Sequence, residues 1–242
     1  MASVRCVGLT VRAFVLVSAY PTGLSHCALR YHCLVLAGEP TRSDDSTTAH
    51  DRRLHGVLGS LLNKFRAVDH GIYGVIAETP TAGLDKPLRK LSNAADYSQL
   101  WLAVAAGLVV FGDRRARRAA LDGVGAIAVT SFLVNVVIKS LPRRSRPDQD
   151  AYAVPEERRV PMPGSTSFPS GHSASGFAFA TAVGDQLPRL ALPLRFLAGV
   201  VAYSRVHSGV HYPTDAVAGS MIGCAIGLIV TRVRRRRLEP RR

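Results

Sequence analysis

Three short polar clusters, each set against an apolar run, hold the residues of this chain that can do chemistry. Pro169-Ser170-Gly171-His172 closes a polar, Pro-rich loop (148–167) and opens an apolar run (174–183), so Ser170, Gly171 and His172 are expected at a helix N-terminus. Such an end offers backbone N–H groups without intrahelical partners and the positive end of the helix dipole, a setting that suits an anion and above all a phosphate. Gly171 lets the backbone approach the anion closely, and His172 can give or take a proton beside it. A Ser-Gly pair before a helix is also an ordinary cap, and a lone histidine is more often structural, so the argument depends on the other two clusters.

The second cluster, residues 139–147, holds Lys139 and Arg146 seven positions apart where an apolar run ends. The third, residues 204–215, holds Arg205, His207, His211 and Asp215. Pro213 suits the first turn of a helix, which places Asp215 one turn from His211. Lys139, Arg146 and Arg205 are three cations that, together with helix-end amides, can neutralise a phosphoryl group. His211 backed by Asp215 reads as a histidine held in one tautomer and made more nucleophilic, and His172 then serves as proton donor.

The elements that must position these clusters are apolar runs at 100–111, 119–138, 174–183, 190–203 and 216–230, rich in Gly and Ala. Basic clusters flank them at 114–118, 143–146 and 232–237. Each run alone would serve as a buried helix; five of them with basic flanks point to membrane helices packed through small residues. The net charge of +14 and pI of about 10.5 follow largely from these flanks. No zinc-finger spacing, RNP-type aromatic motif or basic-region heptad occurs, which argues against a nucleic-acid partner. The densest basic flanks, 114–118 and 232–237, are expected in the cytoplasm, which puts the three polar clusters on the opposite face. Upstream, residues 54–76 repeat apolar positions at helical spacing, an amphipathic pattern suited to a membrane interface or to packing on a bundle.

Residues 1–40 are mildly apolar and broken by Pro21, Gly23 and Pro40, and 41–53 read as a charged linker. Arg5 and Arg12 before a short apolar core at 13–19 have signal-peptide character without a clear cleavage site. The four cysteines form no disulfide framework, and the doublets His26-Cys27 and His32-Cys33 lack the usual zinc spacing. His207 is expected to be structural or gating. Arg143 and Arg144 read as a solvated charge run or as contacts to a second phosphate, and Asp122 and Asn135 as interhelical hydrogen bonders.

Taken together, Lys139-x6-Arg146-Pro147, Pro169-Ser170-Gly171-His172 and Ser204-Arg205-x5-His211-x3-Asp215 resemble the three-part signature of the type 2 phosphatidic acid phosphatase superfamily, complete and in order over residues 96–233. The resemblance implies that His211 attacks phosphorus, Asp215 orients it and His172 protonates the leaving oxygen. It further implies that Lys139, Arg146, Ser170, Gly171 and Arg205 bind phosphate, with no metal and no cofactor. The expected fold is an all-α integral membrane helical bundle with about five transmembrane helices and an N-terminal amphipathic helix. The expected division is a poorly ordered segment and linker (1–53), amphipathic helices (54–96), the phosphatase membrane domain (97–233) and a basic cytoplasmic tail (234–242). The expected enzyme hydrolyses a lipid phosphomonoester or diphosphate, polyprenyl or phosphatidate-type, through a phosphohistidine. It would sit in the inner or plasma membrane with its active site on the extracytoplasmic face and membrane lipids as partners. A vanadate-dependent haloperoxidase or a non-catalytic lipid-binding protein are the rival readings.

Overall fold

The computed structural model describes residues 45–138 and 144–238, and no strand occurs among them. The expectations for residues 1–44, for Lys139 and for Arg143 lie outside the described residues. Among the described residues seven α-helices carry the fold: α1 (Asp45–Glu78), α2 (Ala82–Ala94), α3 (Gln99–Phe111), α4 (Arg114–Phe132), α5 (Gly171–Gln186), α6 (Pro188–His207) and α7 (Pro213–Leu238). A 3-10 turn, Asp96–Ser98, joins α2 to α3, and a π-turn, Leu133–Val137, extends α4. The starts follow local chemistry. The Asp113 carboxylate accepts from Ala116 N at the head of α4, Ser170 caps α5, and Pro188 occupies the first turn of α6, where its missing N–H costs nothing.

Helix α1 starts at Asp45, nine residues before the amphipathic pattern begins at Leu54. Its second half turns an unexpected face to the protein. Asp69, Tyr73 and Ala77, four residues apart, are buried, while the apolar stripe Phe65, Val68, Ile72 and Val75 is exposed. Tyr73 meets Tyr152 and Tyr212 edge-on, so an aromatic cluster and a buried carboxylate, not the apolar stripe, fix this helix to the rest.

Helix α5 is the axis, packed by α4, α6 and α7. Eleven of its sixteen residues are buried, so protein surrounds it on nearly every side. Its small side chains allow this. Gly219, Gly223 and Gly227 of α7 lie every four residues against Ser170, Ala174, Ala178 and Thr181 of α5, so backbone rests on backbone. Across α5, Trp101 of α3 packs on Phe179, and Gly123 of α4 leaves room for the same ring.

The exposed surface of α3, α4, α6 and α7 carries large apolar side chains, including Val110, Phe111, Leu121, Phe132, Leu192, Phe196, Val217 and Met221. Arg114–Val137 and Pro213–Arg237 are long and apolar enough to cross a membrane, and α2 with α3, bent by 62°, forms a third candidate. By length and composition the number is therefore two or three among the described residues, short of the five expected from the apolar runs. At about 1.5 Å per residue the sixteen residues of α5 reach about 24 Å, less than a ~30 Å hydrocarbon layer, and α6 carries Arg189, Arg195 and Arg205.

At the end of the bundle far from the α5 N-terminus, Asp122 accepts from Gln186 and from Arg234, which ties α4, α5 and α7 together. Asp122 is thus an interhelical hydrogen bonder, as expected.

Candidate active site

At the other end of the bundle the start of α5, the turn before α7, the last turn of α6, the π-turn after α4, the α2–α3 junction and the loop before α5 enclose a cavity of about 630 Å³. Arg146, Gly171, His172, Arg205 and His211 all line it. The three clusters, up to 65 positions apart between Arg146 and His211, thus meet in one place.

Sequence dictates this convergence at two helix starts. Ser170 Oγ accepts from Ser173 N, and Ser173 Oγ donates to Ser170 Oγ at 2.9 Å. Ser170 N donates to the Asp215 carbonyl at 3.0 Å, which joins the start of α5 to the start of α7. Ser170 is therefore buried behind the cavity wall, and Gly171 and His172 face the cavity. The Phe168–Pro169 peptide just before them is cis. Between α6 and α7, Gly209 takes φ +73°, and a Cβ there would lie 2.7 Å from Tyr73 Oη, so both conformation and space call for glycine.

His211 is 2 % exposed. Its Nε2 lies 3.3 Å from Arg146 Nη1. A guanidinium can only donate, so Nε2 carries the lone pair and the ring proton is on Nδ1. Nδ1 is 3.8 Å from Asp215 Oδ2, longer than a hydrogen bond but aimed at a carboxylate held fast by Ser167 Oγ (2.5 Å), Tyr212 N (2.9 Å) and Arg144 Nη1 (2.8 Å). Burial pushes the His211 imidazole down to about 4, with Arg146 and Arg205 adding to the fall and Asp215 opposing it. His211 is therefore neutral at physiological pH. Arg146 is itself fixed by Ser165 O (2.9 Å) and Val210 O (2.7 Å), and burial lowers its affinity for its proton.

Opposite, His172 Nε2 is 2.7 Å from Asp96 Oδ1. Arg205, 2 % exposed, donates from Nη1 to Ser92 Oγ at 2.7 Å and stands 3.7 Å from Asp96 Oδ1. Its Nε–H makes no hydrogen bond among the described residues. Asn135, in the π-turn, borders the cavity near Gly171 at the head of α5.

Arg144 corrects the reading of a solvated charge or a second-phosphate contact. Its guanidinium bonds both Asp215 and the buried Asp69 of α1 and lies 4.3 Å from the Tyr212 ring centre. Asp69 also accepts from Thr214 N (3.0 Å) and Thr214 Oγ1 (2.5 Å), so α1 holds the start of α7 through charge. His207 takes a structural part: Nε2 is 2.8 Å from Thr81 Oγ1, and Asp85 beside it takes Arg158 Nε at 2.9 Å. Arg158 also caps the end of α1 through the carbonyls of Ala77 and Thr79, which pins the loop before α5. Asp69, Ser92, Asp96, Arg158 and Ser167 were not expected in or around the site, and Arg144 was not expected as a bridge between two carboxylates. A charge or hydroxyl in an amphipathic stretch or loop shows no local periodicity that would mark its distant partner. Among the described residues no group of three or more His, Cys, Asp or Glu is placed to hold a metal ion.

A family model described as the PAP2 superfamily matches residues 119–239. The decaprenylphosphoryl-5-phosphoribose phosphatase of Mycobacterium tuberculosis is 35% identical over 168 residues, covering 67% of this chain and 90% of that protein. The undecaprenyl-diphosphatase of Sulfolobus acidocaldarius is 30% identical over 139 residues, covering 55% of this chain and 63% of that protein. Among solved structures, a transmembrane PAP2 type phosphatidylglycerolphosphate phosphatase from Bacillus subtilis superposes with a TM-score of 0.56 at 22% identity, covering 74% of this chain and 90% of that one. Aquifex aeolicus LpxE gives 0.55 at 24% identity, covering 67% of this chain and 93% of that one.

Proposed function

This chain belongs to the PAP2 superfamily, and from that premise we propose that it is a membrane phosphatase that removes the terminal phosphate of a polyprenyl-linked phosphate or diphosphate through a phosphohistidine. The observation that carries the reading is the His211 lone pair on Nε2, fixed by the Arg146 contact and facing a cavity that also holds His172. Neutral His211 attacks phosphorus with Nε2; the bond from phosphorus to the leaving oxygen breaks, its electron pair stays on that oxygen, and His172 protonates it. Water then attacks the phosphohistidine and gives one proton to His172, and the N–P electron pair returns to His211. Asp215 holds the ring as Nδ1 acquires positive charge in the first step.

Arg146, Arg205 and the amides at the start of α5 neutralise the phosphoryl oxygens, and Lys139 is assigned to the same task. The Arg205 Nε–H, without a hydrogen-bond partner among the described residues, supports this, because a phosphoryl oxygen would satisfy it. Ser170 contributes by capping α5. Protein cations replace the metal clamp of other phosphoryl-transfer sites, so no metal is needed.

The cavity is larger than a phosphoryl group needs, and its lining mixes Ser98, Ser131 and Asn135 with Leu102, Ile127 and Val134, which suits a polar headgroup leading to an apolar chain. In this reading α3 to α7 all pass through the bilayer region, α3 and α5 being too short to reach across a full hydrocarbon layer alone and α5 being shielded by its neighbours. The basic ends at 114–118 and 232–237 lie in the cytoplasm and the cavity opens on the extracytoplasmic face of the inner or plasma membrane.

The test is phosphate release by purified protein, in EDTA, from a polyprenylphosphoryl phosphoribose, a polyprenyl diphosphate and a phosphatidate, with acid-labile phosphoenzyme trapped in parallel. His211→Ala should abolish both release and labelling. Release from none of the three, or labelling that survives His211→Ala, refutes the reading.

A further inference from the structure

A carboxylate is out of place in a pocket built for an anion. Among the described residues lining the cavity, Asp96 is the single Asp or Glu, and the charged or titratable groups around it are Tyr97, Arg146, His172, Arg205 and His211. Left unpaired it would repel a phosphate dianion. It is paired, with His172 Nε2 at 2.7 Å, and Arg205 stands 3.7 Å from the same oxygen.

The backbone is strained to put it there. Tyr97 and Ser98, directly after Asp96, both adopt left-handed conformations (φ 52° and 61°), unusual for residues other than glycine. Two such residues in succession persist where the surroundings over-determine them, typically at functional sites. Here they make the 62° corner between α2 and α3, and that corner delivers Asp96 to the cavity.

We propose that Asp96 is the positioning residue for His172: its carboxylate accepts the Nε2–H, fixes the ring and favours the imidazolium, so that proton transfer to the leaving oxygen runs through Nδ1. This rests on the reading of His172 as the general acid. The step balances without a proton reaching Asp96. Imidazolium Nδ1–H goes to the leaving oxygen, which leaves His172 neutral with Nε2–H on Asp96. The Nδ1 lone pair then takes a proton from the water that attacks the phosphohistidine, which restores the imidazolium. The site thus holds two Asp–His pairs of opposite duty, Asp215–His211 for the nucleophile and Asp96–His172 for the acid.

The test compares Asp96→Asn, Asp96→Glu and His172→Gln on dodecyl phosphate, whose leaving group needs a proton, and on 4-nitrophenyl phosphate, whose leaving group does not. Asp96→Asn should lose roughly ten- to a hundred-fold in kcat/KM on dodecyl phosphate, part of what a general acid supplies, and at most about threefold on 4-nitrophenyl phosphate, because kcat/KM reads phosphoenzyme formation and not the water attack that both substrates share. The basic limb of its kcat/KM–pH profile should move to lower pH, and Asp96→Glu should recover part of both changes. Retained 4-nitrophenyl phosphate turnover in the same preparation reports an intact fold. Equal losses on both substrates, or a change confined to KM with the basic limb unmoved, overturns the proposal and assigns the carboxylate to Arg205 or to the fold. If His172→Gln shows the leaving-group split and Asp96→Asn does not, this proposal alone fails. If His172→Gln loses both substrates equally, the acid reading fails and takes this proposal with it.

Discussion

Replacing Gly223 by alanine should cost far more activity than stability. Gly223 is in the middle of α7, one turn below Gly219 and away from the cavity lining, with α5 directly against it. A Cβ there would fall well inside contact distance of the Ala174 carbonyl oxygen and 2.9 Å from Ala178 N. Ordinary contact begins near 3.4 Å, so Ala178 alone demands 3.4 − 2.9 = 0.5 Å of separation, and the carbonyl demands more. Both obstacles are backbone and cannot swing aside, so α5 and α7 must part. Overpacking of this kind costs about 1–3 kcal/mol, offset by about 1 kcal/mol of helix propensity gained from Gly to Ala. The net loss of stability is then about 0–2 kcal/mol. The site feels the movement directly, because α5 carries His172 at its head and α7 carries Asp215. A misplacement of about 1 Å between catalytic groups can cost about a hundredfold in rate. Gly223→Ala is therefore expected to lower kcat/KM by roughly ten- to a hundred-fold while its melting temperature in detergent moves by a few degrees. Gly199→Ala, where a Cβ meets nothing within 4 Å, should leave both unchanged or raise stability slightly. Wild-type kcat/KM in Gly223→Ala would refute the claim that the α5–α7 spacing sets the site geometry.

Arg144→Gln leaves the buried carboxylates of Asp69 and Asp215 without their shared cation, which should destabilise the fold by about 3–5 kcal/mol. Adding Asp69→Asn should recover part of that loss, and a double-mutant cycle of thermal melts showing simple additivity would count against the pairing. Below pH 6.5 an unfolded His211 takes up a proton that the folded one refuses until about 4, so stability should fall as pH drops through that window, by up to about 3 kcal/mol. Melts at about pH 7 and about pH 5 should differ less for His211→Gln than for wild type; an unchanged difference would mean that His211 is not held neutral. Ser167 and Ser208 are buried and poor topology reporters, so exposed positions serve better. A cysteine replacing Glu156 should label from outside intact cells and one replacing Arg115 should label after permeabilisation, and the reverse would invert the proposed orientation.

The helix starts were legible because their chemistry is local. Ser170 before Gly171 and Pro213 before Asp215 specify where α5 and α7 begin, and one helical turn then sets His211 beside Asp215. The period of the apolar runs likewise marked all of α3 to α7. The apolar content of α5, however, does not say whether lipid or protein surrounds it; that depends on the glycines of α7, and each element's sequence is silent about the other's.

By itself, then, the sequence determined the helical class, the basic ends and the four-residue spacing of His211 and Asp215, since spacing along the chain is a property of the chain alone, while the resemblance to the family signature is what grouped Arg146, Gly171 and His172 with them as an expected phosphate site. The tertiary structure alone decided that Asp69 faces inward from an amphipathic helix, that Arg144 bridges it to Asp215 across 75 and 71 positions, and that Asp96 meets His172 across 76. A charged side chain has no periodic signature, and its partner is chosen by which buried groups the packing of helices leaves facing each other in a low-dielectric interior.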